Sequence, residues 1–166
     1  MGVLVSLGDE VVAPPIEYRW DTDTEILTGS IRATGGGTGL TGSVEIEGSD
    51  GAWLTLDVRG GELAGVEVSV WPDVAIAPTL HAPSDVKSAR ITIPSRPSQP
   101  GLAAVEVETR LSARADSAER TVHFMLGKPR VTTTVRAATD LLIELDDNRQ
   151  VVGLWMLNVP PFPGAA

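Results

Sequence analysis

Two stretches of the sequence share one strand–turn–strand pattern, and this repeat constrains the fold more than any other feature. Residues 53–72 read WLTLDVRGGELAGVEVSVWP, and residues 141–160 read LLIELDDNRQVVGLWMLNVP. In both, an apolar strand pattern leads into a polar turn, a glycine (Gly65 or Gly153), an alternating strand and a proline. The pattern predicts an internal duplication of a β-hairpin unit.

Strict alternation of apolar and polar residues recurs elsewhere, most clearly over residues 105–111 and 66–70. Such alternation is typical of strands with one face on a core and the other in water. Turn signals, among them Gly60-Gly61, separate the strand patterns at spacings of about 8–12 residues, as in sandwiches and barrels. We therefore predict an all-β fold with little helix, either an antiparallel β-sandwich or two packed small β-barrel-like halves.

The predicted duplication divides the chain into a first β unit over residues 1–93 and a second over residues 102–166. The proline-dense stretch 94–101 (PSRPSQPG) is extended and solvated in this interpretation and connects the two units. A single domain over residues 1–166, with 94–101 as a long surface loop, is the alternative. Residues 112–120 (SARADSAER) lack an apolar stripe at helical spacing, which favours a loop over an exposed helical turn.

Charge and composition exclude several classes of function. The 166 residues include 22 acidic and 13 basic side chains, for a net charge of −9. Nucleic-acid binding needs a basic face, so we expect no nucleic-acid partner. The chain has no cysteine, no apolar run of membrane-spanning length and no signal-peptide pattern. We expect a bacterial cytoplasmic protein without membrane insertion.

No motif predicts catalysis, a cofactor or a metal. Residues 37–42 match GxGxxG, but a strand pattern follows them where a dinucleotide site needs a helix. The acidic turn at residues 21–25 lacks the glycine and glutamate of a Ca²⁺ loop. His81 and His123 belong to no metal-ligand motif, so we interpret them as surface or core histidines. Because the chain has so many carboxylates, some pair of them can always be chosen as a catalytic pair, so their presence does not indicate a hydrolase.

The final strand and the tail after it are the predicted protein-binding surface. The strand pattern from Val152 to Leu157 is apolar on both faces, and three prolines in residues 160–163 prevent the tail from joining a sheet interior. An apolar strip beside such a tail is typical of an interaction surface, with burial of both strand faces as the alternative. The predicted binding residues are Trp155, Leu157, Pro160, Pro161 and Phe162.

Residues 141–157 (LLIELDDNRQVVGLWML) resemble the C-terminal half of the small bacterial domains catalogued as DUF2283. Residues 18–27 (YRWDTDTEIL) resemble the opening of the same domains. Trp155 stands where those domains have an acidic residue. No activity is assigned to that family, so the resemblance implies a β-hairpin unit and no chemistry.

These observations favour a non-catalytic protein-binding or assembly subunit of a bacterial complex. Its partner is another protein, and association with a second copy of the chain stays open. A carbohydrate-binding protein or a carboxylate-dependent hydrolase on a β scaffold is the alternative.

Overall fold

The computed structural model describes residues 3–32, 41–93, 104–128, 130 and 132–163, and in these ranges the chain forms strands and turns without a helix. The first seven strands are β1 (Ser6–Glu10), β2 (Ile16–Asp21), β3 (Ile26–Ile31), β4 (Gly42–Gly48), β5 (Trp53–Arg59), β6 (Glu62–Val70) and β7 (Val74–Ile76). The other seven are β8 (Lys87–Thr92), β9 (Ala104–Thr109), β10 (Leu111–Ala115), β11 (Val122–Leu126), β12 (Thr133–Ala138), β13 (Leu141–Leu145) and β14 (Val151–Met156). The all-β prediction is confirmed.

The strands join into one sheet that curls into a half barrel. Its main path runs β7-β10-β11-β14-β13-β12-β8-β6-β5-β4-β9, while β3 and β2 extend from β6, and β1 pairs with β8. Strand β8 links the two parts of the sheet, because it pairs with β12 on one side and with β6 on the other. Apart from the parallel pairs β7–β10, β8–β12 and β4–β9, neighbouring strands are antiparallel.

Most predicted strands and turns are present in the structure, and local sequence features explain them. Gly60 and Gly61 form the tight turn between β5 and β6 with φ of 59° and 82°, values that glycine adopts without strain. The loop predicted for residues 112–120 is wrong in its first part, because β10 continues to Ala115 and only then turns. Ala113 and Ala115 are the core-facing residues of β10, and alanine gives a weak strand signal. Residues 34–40 and the predicted connector 94–101 lie outside the described ranges.

Two groups of five strands have the same connectivity. One has the order β2-β3-β6-β5-β4 and the other β10-β11-β14-β13-β12, so that in each the last strand along the chain inserts beside the first hairpin. Each group contains one of the two similar hairpins, β5–β6 or β13–β14. In both hairpins the pairing register shifts directly after a carboxylate faces a glycine: Asp57 opposite Gly65, and Glu144 opposite Gly153.

One apolar core lies between the two groups of strands, and both contribute to it. Leu27, Leu54 and Ile46 come from the first group, and Phe124 and Leu154 from the second, all at 0% exposure. Alternate residues of strands such as β4, β5 and β10 point into this core, which is the arrangement that the period of two in the sequence predicts. Burial of side chains of this size typically stabilises a protein by about 1.5–3 kcal/mol each.

The face of the second group that points away from this core is also covered. Leu142 and Trp155 lie on it and are buried, although neither belongs to the main core. Strands β7 and β8 run parallel at opposite ends of this part of the sheet, so residues 77–86 between them must cross one of its faces. Leu80 and Val86 are half-buried but do not pack on the main core. Residues 77–86 therefore pass over the outer face.

Candidate functional site

A groove lies where the ends of the two five-stranded groups meet the C-terminal tail. Its volume is about 570 Å³, within the usual range for ligand sites. We call it the tryptophan groove. Its lining consists of Trp20, Glu25, Trp71, Val74, Ala115, Ala118, Glu119, Val122, Val159, Pro160, Pro161 and Phe162.

The indole rings of Trp20 and Trp71 are held in place from both sides of the groove. Trp20 lies at the end of β2, where alternation turns it inward while Arg19 and Asp21 are exposed. Its Nε1–H donates to the carbonyl oxygen of Pro160 at 2.8 Å. The Nε1–H of Trp71 donates to the carbonyl oxygen of Glu25 at 3.1 Å. Both indoles thus have their polar atom satisfied, and their ring surfaces serve for packing.

The rings form a connected aromatic array from the core to the surface. Trp20 stacks on Trp71 with centroids 5.6 Å apart, and Phe162 meets Trp20 edge to face at 5.2 Å. Trp71 also packs against the fully buried Phe124 at 5.7 Å. Because Phe124 anchors the array, the groove wall is preformed rather than assembled by a ligand.

Backbone hydrogen bonds fix the tail along the groove. The N–H of Leu157 donates to the Asp140 carbonyl oxygen, and that of Val159 to the Arg120 carbonyl oxygen, both at 2.9 Å. Asn158 between them adopts a φ of 52° and donates from its side chain to Asp140 Oδ1 at 2.8 Å. Beyond these contacts the prolines continue outside the strands, and Pro160 and Pro161 line the groove.

Two glutamates line the same groove. Glu25 belongs to the β2–β3 turn and Glu119 to the β10–β11 turn, and both are exposed. Both also have positive φ, 60° and 57°, a conformation that favours glycine or asparagine. Among the described residues neither carboxylate takes part in an ion pair. The groove therefore combines aromatic faces with unneutralised negative charge.

The five predicted binding residues do not form one surface. Pro160, Pro161 and Phe162 line the tryptophan groove, whereas Leu157 is half-buried beside it and Trp155 lies on the covered outer face with 5% exposure. Trp20 and Trp71 are not among the binding residues predicted from the sequence. The signal available for them was an indole at or just after the end of an alternating strand, close to a turn.

A second constellation, which we call the histidine cluster, is buried on the outer face. His123 has 5% exposure and stacks on Trp155, with ring centroids 3.9 Å apart and planes at 8°. Its Nδ1 lies 3.0 Å from an Arg114 nitrogen, and its Nε2 lies 2.5 Å from Glu144 Oε1. Since the guanidinium can only donate, Nδ1 accepts and Nε2–H donates to the carboxylate. Thr132 donates weakly to the other carboxylate oxygen at 3.5 Å.

The cluster ties four neighbouring strands together, because pairing places Arg114, His123, Trp155 and Leu142 in one row across the sheet. Arg114 Nε and Trp155 Nε1 are buried without a hydrogen-bond partner among the described residues. Neither His123 nor Glu144 lines the tryptophan groove. This geometry fits a structural network, and the interpretation of His123 as a core histidine agrees with it.

Other acidic groups have local roles. Asp21 Oδ1 accepts the N–H groups of Asp23 and Thr24, so this carboxylate stabilises the β2–β3 turn. Burial, and next the neighbouring Glu67 carboxylate, raise the pKa of Asp57, while Arg59 opposes the shift. In the described ranges, no three histidine or acidic side chains lie close enough to hold a metal ion.

No protein-family model matches the chain, and no curated protein shows significant similarity to it. No helix in the described part of the chain is long and apolar enough to cross a membrane.

Proposed function

We propose that the protein is a non-catalytic binding or assembly subunit whose tryptophan groove docks an extended, basic segment of a partner protein. The observation that carries this proposal is the array of Trp20, Trp71 and Phe162 along an open groove. Aromatic side chains held rigidly at a surface contribute most of the energy in many protein interfaces. A preformed wall also reduces the entropy lost on binding.

An extended occupant suits the groove for two reasons. Aromatic-lined grooves are the kind of surface on which extended polyproline segments dock. Strand β2, which supplies Trp20, pairs on one side only among the described strands, so its other edge can receive backbone hydrogen bonds. A basic segment is favoured by the charge of −9 on the whole chain, which steers basic partners towards it.

Duplication of a five-stranded unit is part of the proposal and accounts for the groove. The shared strand order and the shared bulge beside Gly65 and Gly153 support it. By strand pairing, Trp20 corresponds to Ala115, and Trp71 corresponds to Val159 three residues beyond the matched pairs. Large side chains in one unit correspond to smaller ones in the other, and all four line the groove. The DUF2283 resemblance and a bacterial cytoplasmic setting are part of the same proposal.

The test compares two truncations of apolar side chains. The Phe162→Ala substitution removes part of the groove wall. Val12→Ala is the control, because this side chain is 94% exposed and lies outside the groove. Proteins captured from the native cell extract are tiled as synthetic peptides, and affinity is measured by tryptophan fluorescence. We expect Phe162→Ala to weaken the tightest peptide about tenfold or more, as at an interface hot spot, and Val12→Ala less than about twofold.

Equal affinity of the Phe162→Ala variant and the unchanged protein would contradict the proposal. The alternative is a carbohydrate-binding protein, which the combination of indole faces and carboxylates in one groove favours. A specific glycan on an array, lost in Phe162→Ala and unaccompanied by any peptide ligand, would establish that alternative and refute protein docking.

A further inference from the structure

We infer that the partner segment inserts an arginine side chain into the tryptophan groove, between the indole faces and the carboxylates of Glu25 and Glu119. This inference rests on the docking function proposed above and specifies the chemistry that the groove recognises. It follows from the charges in the groove, from the backbone at the two glutamates and from the aromatic wall.

The two carboxylates of the groove favour a cationic ligand. Glu25 and Glu119 come from different hairpin turns, far apart in sequence, yet both line one groove. No described lysine or arginine forms an ion pair with either of them. A cation bound here therefore meets two negative charges that are not already neutralised by an ion pair.

Glutamate is an unfavourable residue for the backbone conformation of these two turns. Four described non-glycine residues have positive φ, and Glu25 and Glu119 are two of them. Glycine or asparagine would fit such positions with less strain. Hydrogen bonds of the turns, such as that from the Glu119 N–H to the Asp116 carbonyl oxygen, use only backbone atoms at these two positions. Glutamate is therefore not needed for the turn itself, and its side chain is free to bind a ligand.

The aromatic wall of the groove favours arginine over other cations. A guanidinium stacks on an indole face through cation–π attraction and can donate to two carboxylates in a fixed planar geometry. Lysine offers a compact, more strongly hydrated charge and loses more on entering an apolar groove. Trp20, Trp71 and Phe162 supply the faces, and Pro160 and Pro161 supply apolar walls for the aliphatic part of the side chain.

The test uses a matched pair of small probes. N-acetyl-arginine methylamide and N-acetyl-citrulline methylamide have nearly the same shape, but only the first is charged. Binding is followed by NMR at the indole N–H signals of Trp20 and Trp71. We expect the arginine probe to bind about tenfold tighter than the citrulline probe and to weaken with salt, as charge recognition by an aromatic site requires.

Variants locate the charge effect. Glu25→Gln and Glu119→Gln should each reduce arginine affinity about threefold to tenfold, without changing the affinity for citrulline. Glu10→Gln makes the same change in net charge at an exposed position of β1 outside the groove, and should leave affinity within about twofold. Equal binding of the two probes, or an effect of Glu10→Gln as large as that of Glu119→Gln, would overturn the inference.

The same probe chemistry separates this inference from the proposed function. In a docked partner peptide, each arginine is replaced by citrulline in turn. If Phe162→Ala abolishes peptide binding but no citrulline replacement does, the groove docks a segment without the arginine and only this inference fails. If neither change affects binding, both proposals fail.

Discussion

Gly153→Ala tests how the histidine cluster is linked to the second hairpin. A methyl group on Gly153 would collide with the carboxylate of Glu144 and lie 3.2 Å from the carbonyl oxygen of Phe124. The carboxylate ends a flexible side chain, so it can rotate away, but it then leaves the buried Nε2–H of His123. The expected damage is therefore the loss of a polar contact rather than a broken backbone.

The magnitude follows from two opposing effects. A hydrogen bond to a charged group contributes about 1.5–3 kcal/mol, and its loss here also leaves a buried donor unpaired. Replacing glycine by alanine lowers the entropy of the unfolded chain, which offsets this loss by about 0.4–1 kcal/mol. We expect Gly153→Ala to lower the free energy of unfolding by about 1–2.5 kcal/mol. In a protein of this size each kcal/mol lowers the Tm by about 2–4 °C.

A double-mutant cycle in urea measures the contact directly. Once Glu144→Ala has removed the carboxylate, Gly153→Ala has no side chain to displace. In that background it should be neutral or stabilise by up to about 1 kcal/mol. An equal cost of Gly153→Ala in both backgrounds would refute the reasoning, because the clash would then lie with the Phe124 backbone.

Three further predictions concern single side chains. Burial, and next the charge of Asp140, raise the pKa of Tyr18, the only tyrosine, so ultraviolet absorbance should show no tyrosinate before unfolding. Above about pH 10 this tyrosine then ionises only in the unfolded chain, so the free energy of unfolding should fall as the pH rises. Tyrosinate in the native protein would contradict this prediction. Since its raised pKa makes ionised Asp57 unfavourable, Asp57→Asn should raise the free energy of unfolding at neutral pH by less than about 1 kcal/mol, measured as a higher Tm. This gain should shrink on acidification, and a gain independent of pH would count against it. Glu119→Asn should stabilise by about 0.5–1 kcal/mol by relieving positive φ, and unchanged urea unfolding would exclude such strain.

The predictable part of the fold depends on interactions between residues close in sequence. Alternation predicted strands such as β5 and β6, because a period of two places every apolar side chain on one face. Gly60 and Gly61 predicted their turn because positive φ is open to glycine. Strand β10 was missed beyond Leu111 because alanines at 113 and 115 carry little strand signal, although the core around them buries both.

The candidate site was predictable only at the tail. Prolines exclude a segment from a sheet wherever it lies, so Pro160, Pro161 and Phe162 were identified as surface residues from sequence alone. Trp155 has the same apolar character as Trp71, and nothing local distinguishes a tryptophan stacked on a buried histidine from one that lines a groove. Strand register and the path of residues 77–86 decide between the two outcomes.

The sequence by itself determined an all-β chain, the positions of most strands and two similar hairpins, since these follow from side-chain periodicity and backbone freedom. Only the tertiary structure decided which distant residues meet. The tryptophan groove needs Trp20 and Trp71 on one groove with Ala115 and Val159, and the histidine cluster needs four strands in register. Such contacts arise from the packing of the two groups on one core, which no local pattern encodes.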